Sequence, residues 1–393
     1  MKYKLGDVCS RLSSGKGISA KLISAAGNYP VYGGNGLRGY TECSNFTGEC
    51  AIIGRQGAFC GNVRYFSGDA YMTEHAVVAC ANEDNDTRYL SYLLSTMQLG
   101  RLSGQSAQPG LSVKVLSQQE VDLPSLEQQQ KVVGILASIE NKIQLNNSIN
   151  KNLEQQAKAV FKSWFEDFDP FDEPLIETPA GIYAPASLQM VQIANIPHVL
   201  ETGKRPKGGA VASGVPSIGA ENVKQLGVVN FSSAKFIPEE FAEKMKTGAI
   251  NGYELLLYKD GGKPGTFIPH FSMFGEGFPY QKFFINEHVF KLDFGDKGFN
   301  EFAYFFMQTD YAYHWLASNG GKAAVPGINQ QNVKDIWIFS PENSKVKEFG
   351  EWVQPLFTTI LKNCAQNVKL AELRDTLLPK LMSGELDVSD IEL

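Results

Sequence analysis

The 393-residue chain is one unit written twice, and that constraint precedes every other reading because both copies must then fold on one plan. Leu5, Val8, Leu12, Gly15 and Lys16 match Ile193, Ile196, Leu200, Gly203 and Lys204 at a constant offset of 188. Pro30 and Gly33 match Pro216 and Gly219 at 186. Further on, Glu74-His75 matches Glu287-His288 at 213, and Pro109-Gly110-Leu111 matches Pro326-Gly327-Ile328 at 217. The jump of 27 between the second and third blocks predicts one insertion of about that size in the second copy, near residues 223–254, of the kind a surface loop absorbs.

After Pro124 the short β-like runs give way to a heptad. Val132, Leu136, Ile139, Ile143, Leu153, Val160 and Trp164 keep alternating spacings of four and three, with Asn146, Asn150 and Ala157 filling the same seam. The register recurs 217 residues later in Phe349, Val353, Leu356, Ile360, Asn363, Asn367, Leu370, Arg374, Leu377 and Leu381, with two asparagines in the same places. Each helix alone would expose an apolar stripe, so the two are expected to pair. The pairing residues are Leu136, Ile139, Ile143, Asn146, Asn150 and Leu153 on the first helix, and Val353, Leu356, Ile360, Asn363, Asn367 and Leu370 on the second. The asparagines set the register at some cost in stability. Each helix leaves its own globular copy at the same end, so a pseudo-two-fold relation turns one over and makes the pairing antiparallel. Two ordinary helices, each packed on its own domain, would not need matched polar positions.

The expected fold class is α/β (α+β): two globular copies with pseudo-two-fold symmetry, separated by two long helices paired as an antiparallel coiled coil. The expected boundaries are 1–125 for the first copy, 126–168 for the first helix, 169–186 for an acidic linker kept extended by its prolines, 187–341 for the second copy, 342–386 for the second helix and 387–393 for a tail. Within the copies, residues 50–53 and 75–78 read as strands and 88–94 as a helix, with counterparts at 253–258, 288–292 and 302–307.

Composition narrows the class. With 43% hydrophobic and 20% charged residues, and Gly 38 and Pro 18 near average usage, disordered and collagen-like chains are excluded. The first residues carry no apolar export segment and no run approaches the ~20 apolar residues that span a bilayer, so a cytoplasmic chain is expected. Six cysteines without a CxxC pair fit reduced thiols better than a zinc site. The net charge of -6 is segregated: residues 1–125 carry 11 Lys+Arg against 10 Asp+Glu and 187–341 carry 14 against 14. The acidity sits in 126–186, with 5 against 9, and in 342–393, with 6 against 9.

Catalytic signatures are missing. Gly34-Asn35-Gly36-Leu37-Arg38-Gly39 spells a dinucleotide string, but the residues that follow form no amphipathic helix. None of the Gly-Lys pairs has the earlier glycine of a phosphate loop, and HExxH, GxSxG and Asn/Asp-Pro-Pro-aromatic strings do not occur. Glu74-His75 and Glu287-His288, taken as neighbours on a strand, would point to opposite faces and suit a structural role better than acid–base work.

Leu123-Pro124-Ser125-Leu126-Glu127-Gln128-Gln129-Gln130-Lys131, running on to Leu136 and through 139–147, resembles the first conserved helix of type I restriction-modification specificity subunits. Leu377-Leu378-Pro379-Lys380-Leu381-Met382-Ser383-Gly384-Glu385-Leu386 resembles the end of their second, and with the repeat the resemblance covers nearly the whole chain. It implies two target recognition domains, each reading half of a split, asymmetric double-stranded DNA sequence in the major groove. It implies further that the helices hold these domains apart and dock two methyltransferase (modification) subunits, with endonuclease/translocase subunits in the full assembly. The chain would then be a non-catalytic, cytoplasmic component of phage defence without a membrane partner. No cofactor is expected on it, S-adenosylmethionine, ATP and Mg belonging to the partners. The 33 residues from Val132 to Trp164, at about 1.5 Å each, come to about 50 Å, commensurate with a turn of DNA at about 34 Å.

Base readout takes Arg, Lys, Asn or Gln at base edges, and phosphate contact takes cations or backbone N–H groups on Gly-rich loops. Candidate DNA contacts in the first copy are Lys16, Asn35, Arg38, Tyr40, Arg55, Arg64, Gln105 and Gln108. In the second they are Lys204, Arg205, Lys207, Asn222, Lys259, Lys263, Asn319 and Lys322. The copies differ at most of these positions, which implies two different half-sites. Two other classes compete. One is a fused restriction-methylation enzyme, for which the length leaves no room; the other is a coiled-coil adaptor whose two repeated modules bind protein or glycan.

Overall fold

A computed structural model describes residues 2–103, 110–321, 325–389 and 391. The chain divides into two compact units, Met1–Lys142 with Leu370–Leu393, and Ile143–Lys369. The division falls inside both long helices and not at their ends.

The first unit contains β1 (Lys2–Lys4), β2 (Cys9–Ser14), β3 (Tyr29–Gly33), β4 (Gly36–Thr41), β5 (Phe46–Gly54), β6 (Val63–Met72), β7 (Ala76–Ala81), α1 (Thr87–Thr96), α2 (Val113–Ser117) and β8 (Glu120–Asp122). Six strands form one sheet in the order β2-β7-β5-β6-β3-β4, and β1 pairs with β8. The Cys50-Ala51-Ile52-Ile53 run is buried on both faces of the sheet. Alternation sends Ala51 and Ile53 to a core with Leu5, Val77, Tyr89 and Leu90, and Cys50 and Ile52 to a second core with Phe46, Met72 and Val78. The first face is closed by α1, whose N-terminus is capped by Asp86 accepting from Tyr89 N at 2.8 Å.

A helix α3 (Leu126–Phe165) follows, then β9 (Leu175–Glu177) and β10 (Tyr183–Pro185). The stretch expected as an extended linker is thus an antiparallel hairpin, with Ala184 and Leu188 buried in the core of the second unit. The second copy comprises β11 (Met190–Gln192), β12 (Val199–Thr202), β13 (Val215–Ile218), β14 (Lys235–Ile237), α4 (Glu239–Lys244), β15 (Leu255–Tyr258), β16 (Phe271–Ser272), β17 (Phe284–Ile285), β18 (Val289–Asp293), α5 (Lys297–Phe306), α6 (Asp310–Gly320), α7 (Gln330–Lys334) and β19 (Trp337–Phe339). The last helix is α8 (Ser344–Met382). Among the described residues no helix is long and apolar enough to cross a membrane.

The two copies share their strand register. Leu12 faces Ala79 and Leu200 faces Leu292; Lys2 faces Asp122 and Met190 faces Phe339; Val31 runs parallel to Tyr71 and Ser217 to Phe284. These pairs carry the offsets 188, 213, 217 and 186 of the sequence repeat.

The single insertion expected near 223–254 requires correction. Val31 faces Gly39 where Ser217 faces Lys235, an offset of 196 at β14; Ile53 faces Val77 where Leu257 faces Phe290, an offset of 204 at β15. Ile52 faces Arg64 where Leu256 faces Ser272, an offset of 208 at β16. The extra residues are therefore spread over four successive connections, because each loop is free to lengthen while the paired strands cannot slip without turning their side chains to the wrong face. One of those connections interrupts the counterpart of β6, which becomes the two-residue strands β16 and β17, and the sheet opens into β12-β18-β15-β16 and β14-β13-β17.

Within each unit, α3 and α8 run antiparallel. In the first, Val132 and Leu136 share a core with Leu377 and Leu381, and Lys131 Nζ donates to Ser389 O at 2.7 Å. In the second, Phe161 packs edge-on against Phe349 at 5.6 Å. Asn146, fully buried, donates to Asn367 Oδ1 and Gln366 Oε1, both at 2.8 Å, and Asn363 donates to Asn150 Oδ1 at 2.8 Å. Each asparagine thus meets the counterpart of the other, as an antiparallel match of two identical registers requires. Leu136, Ile139, Val353 and Ile360 are buried, while Ile143, Leu153, Leu356 and Leu370 are half-buried.

Candidate nucleic-acid interface

Each copy builds the same small site where β2 or β12 ends beside the turn before β7 or β18. Gly15 and Gly203 are required there by close approach. A Cβ would stand 2.1 Å from Met72 O in one case and 1.6 Å from Ile285 O in the other. The next residue, Lys16 or Lys204, is exposed.

Across the site, Arg55 N donates to His75 O at 3.0 Å and its guanidinium Nη1 to Glu74 O at 3.3 Å. Lys259 repeats both contacts, from its N to His288 O at 3.0 Å and from its Nζ to Glu287 O at 2.9 Å. The histidines are held on both ring nitrogens. His75 Nε2 lies 3.2 Å from Glu74 Oε1 and its Nδ1 3.0 Å from Gln56 Oε1. His288 Nε2 lies 3.3 Å from Glu287 Oε1, with its Nδ1 against Asp260 Oδ1. The Glu-His residues occupy tight turns, which overturns the strand placement and allows both side chains to face one site.

Around this common site the cations differ. In the first copy the hairpin between β3 and β4 turns at Gly34-Asn35, with Asn35 exposed at its tip; this is the use the structure makes of the glycine string. The Arg38 stem crosses Gly33, with Cδ 2.8 Å from where a Cβ would stand, and the Arg64 guanidinium lies 3.1 Å from the corresponding point at Gly36. Burial, followed by the neighbouring Tyr40, pushes the Tyr32 hydroxyl above its ordinary range against the opposing pull of Arg64. Gln105 and Gln108 lie outside the described residues.

In the second copy Lys204 and Arg205 line a concavity of about 60 Å³ with Lys235, Glu287 and His288. Arg205 Nη1 lies 3.5 Å from Glu287 Oε1, and Lys235 Nζ lies 3.2 Å from Glu221 Oε1. Lys207 is exposed on the same loop. Lys263 lines a separate hollow of about 540 Å³ with Lys224, Tyr258 and His270. Burial and the Lys224 charge lower the His270 pKa.

One expected contact is corrected. Asn222 is 3% exposed and its Oδ1 accepts from Asn230 N at 2.7 Å, so its amide satisfies an inserted loop. Asn319, half-buried near the end of α6, donates its Nδ2 to Trp315 O at 2.9 Å, one turn back on the same helix. Lys322 lies outside the described residues. Lys235 escaped the sequence reading because its offset of 196 becomes visible only through the β13–β14 pairing.

Comparison with known proteins gives a consistent picture. The model of the type I restriction modification DNA specificity domain matches residues 1–155. The type I restriction enzyme EcoprrI specificity subunit of Escherichia coli is 38% identical over 151 residues, 37% of this chain and 37% of that one. The type I restriction enzyme MjaIX specificity subunit of Methanocaldococcus jannaschii is 27% identical over 314 residues, 78% of this chain and 70% of its own. The match to the first of these relatives thus takes in little more than a third of its length. The fold is similar to the crystal structure of a type I restriction-modification system S subunit from M. genitalium, with TM-score 0.64 at 16% identity, covering 97% of this chain and 95% of that one.

Proposed function

The chain belongs to the type I restriction-modification specificity-subunit family, and from that premise we propose that it is the non-catalytic reader of a bipartite, asymmetric double-stranded DNA target, one half-site for each copy. The observation that carries this reading is a strand-end site repeated contact for contact in two copies whose surrounding cations differ. Arg38 and Arg64 flank it in the first, Arg205 and Lys235 in the second. The repeated exposed lysines, Lys16 and Lys204, suit the phosphate backbone, which is the same everywhere, and divergent cations suit base edges, which are not.

In this reading the paired α3 and α8 bind methyltransferase subunits and set the spacing of the half-sites. Methylation, cleavage and their cofactors (S-adenosylmethionine, ATP and Mg) reside on those partners and on an endonuclease/translocase subunit in the cytoplasm. With near-neutral copies, the isolated chain should bind DNA weakly and lose affinity steeply with salt. The test is selection from a random duplex library with methyltransferase subunits present. Recovery of two unlike motifs at one spacing supports the reading; absence of any enriched sequence favours an adaptor for protein or glycan.

A further inference from the structure

A carboxylate on a surface that receives a polyanion is unfavourable unless it meets a hydrogen-bond donor. Glu74 and Glu287 nevertheless occupy the same place in both copies, each beside an exposed lysine, Lys16 or Lys204. Their acceptor capacity is only partly used, even in Glu287, whose Oε1 also lies 3.5 Å from Arg205 Nη1. One oxygen of each approaches the neighbouring histidine, at 3.2 Å in the first copy and 3.3 Å in the second. The second oxygen, Oε2 in both, is shielded and has no hydrogen-bond partner among the described residues.

Such an orphan asks for an explanation, and here it occurs twice at homologous atoms. A cation partner is not what the copies share, since the counterpart of Arg205 is Gly17. A metal does not supply the explanation, for among the described residues no group of three or more His, Cys, Asp or Glu is arranged to hold one. A purely internal role fits poorly with side chains that stay 43% and 28% exposed. Each carboxylate is also held from behind, because the histidine that touches it is itself held on the far nitrogen by Gln56 or Asp260.

We propose that Glu74 and Glu287 are base-reading residues, each accepting a hydrogen bond from an exocyclic amine in the major groove, the cytosine N4 or adenine N6 group, and that His75 and His288 are the positioning residues that orient them. This rests on the DNA-reading function proposed above. Each half-site then contains one amine-bearing base at an equivalent place, flanked by bases read by cations that differ between the copies.

The test is motif recovery from a random duplex library by the full chain with its methyltransferase subunits. Wild type is run beside Glu74→Ala, Glu287→Ala and the isosteric Glu74→Gln and Glu287→Gln. Glu74→Ala is expected to reduce the preference at one position of the first half-site about tenfold or more and to leave the second half-site unchanged, with Glu287→Ala doing the converse. The glutamine variants keep the shape and should alter that same position, toward adenine, whose N6 and N7 a glutamine amide can bridge. His75→Asn should weaken the preference there and nowhere else. Unaltered motifs with uniformly weaker binding, in either the alanine or the glutamine series, would overturn the assignment. Failure of the wild type to recover any bipartite motif would instead overturn the DNA-reading function itself, so the two failures are distinguishable.

Discussion

Where β2 meets β7 in the first copy, Ser13 faces Val78; at the same place in the second, half-buried Glu201 faces buried Lys291 in an ion pair of 2.8 Å. The difference is explained by the inserted residues. Glu201 accepts from Gly248 N and Lys291 donates to Ala249 O, both at 2.8 Å, so the pair satisfies the backbone of a loop that the first copy does not possess. The same logic converts Arg64, exposed on β6, into Ser272, which is fully buried and donates to Gln225 O at 2.8 Å. Inserted loops cover sheet that the first copy leaves open, and the cations of the second copy move to Arg205 and Lys235. Inheritance of the strand frame is thus compatible with different reading surfaces.

The comparison is broken most severely at Lys291. Lys291→Val strands the Glu201 carboxylate and should cost about 3–5 kcal/mol in urea unfolding of the complete chain. Adding Glu201→Ser, which copies the first unit in full, should recover part of that loss; an unchanged or larger deficit would refute the account of the pair.

A second contrast lies on α1 and α5, where Asp86 and Asp296 are equivalent caps and Ser91 corresponds to Glu301. Glu301 is fully buried with both oxygens unpartnered among the described residues, and desolvation raises its pKa to about 8, with Lys297 opposing the shift. The folded chain therefore keeps a proton that the unfolded chain releases, so stability falls as pH rises from the ordinary carboxyl range to about 8 and levels off above it. The span is on the order of 4 kcal/mol. Glu301→Gln should flatten this slope; a slope that survives the substitution would show that another group carries it.

The asparagine layers offer a finer contrast. Asn146 is fully buried while Asn150 is half-buried. Asn146→Leu should cost about 1–3 kcal/mol by stripping donors from Asn367 and Gln366, and Asn150→Leu less, by thermal unfolding. Equal costs would mean that burial does not set the value of each layer. The smallest expected change is at the exposed lysines. Lys16→Ala and Lys204→Ala should each lower the salt slope of DNA binding by about one without altering either motif.

Much of the frame was legible because repetition displays it. The offsets at Leu12, Lys16 and Glu74 are those of the observed pairings, and the seam from Val132 to Trp164 reappears in α8 with its asparagines in place. The site was legible in part: Lys16 and Lys204 followed from the glycines before them. The distribution of the insertion was not legible, since β16 and β17 shrink to two residues each and leave no pattern between β15 and Glu287. Asn222 looks like a loop reader in a sequence, and its amide instead serves the backbone of an inserted loop, which is a matter of tertiary neighbours. The first Glu-His turn lacks Gly, Pro or Asn, so nothing local distinguished it from strand; the second does carry a signal, Asn286, whose Oδ1 accepts from His288 N at 2.9 Å.

The claim that the copies read DNA independently is tested most directly by paired substitution. Arg38→Ala with Arg64→Ala, and separately Arg205→Ala with Lys235→Ala, are compared with wild type for the motif selected by the complete complex. Loss confined to one half-site in the first variant and to the other in the second is the predicted result. Both half-sites weakening together in either variant would contradict it.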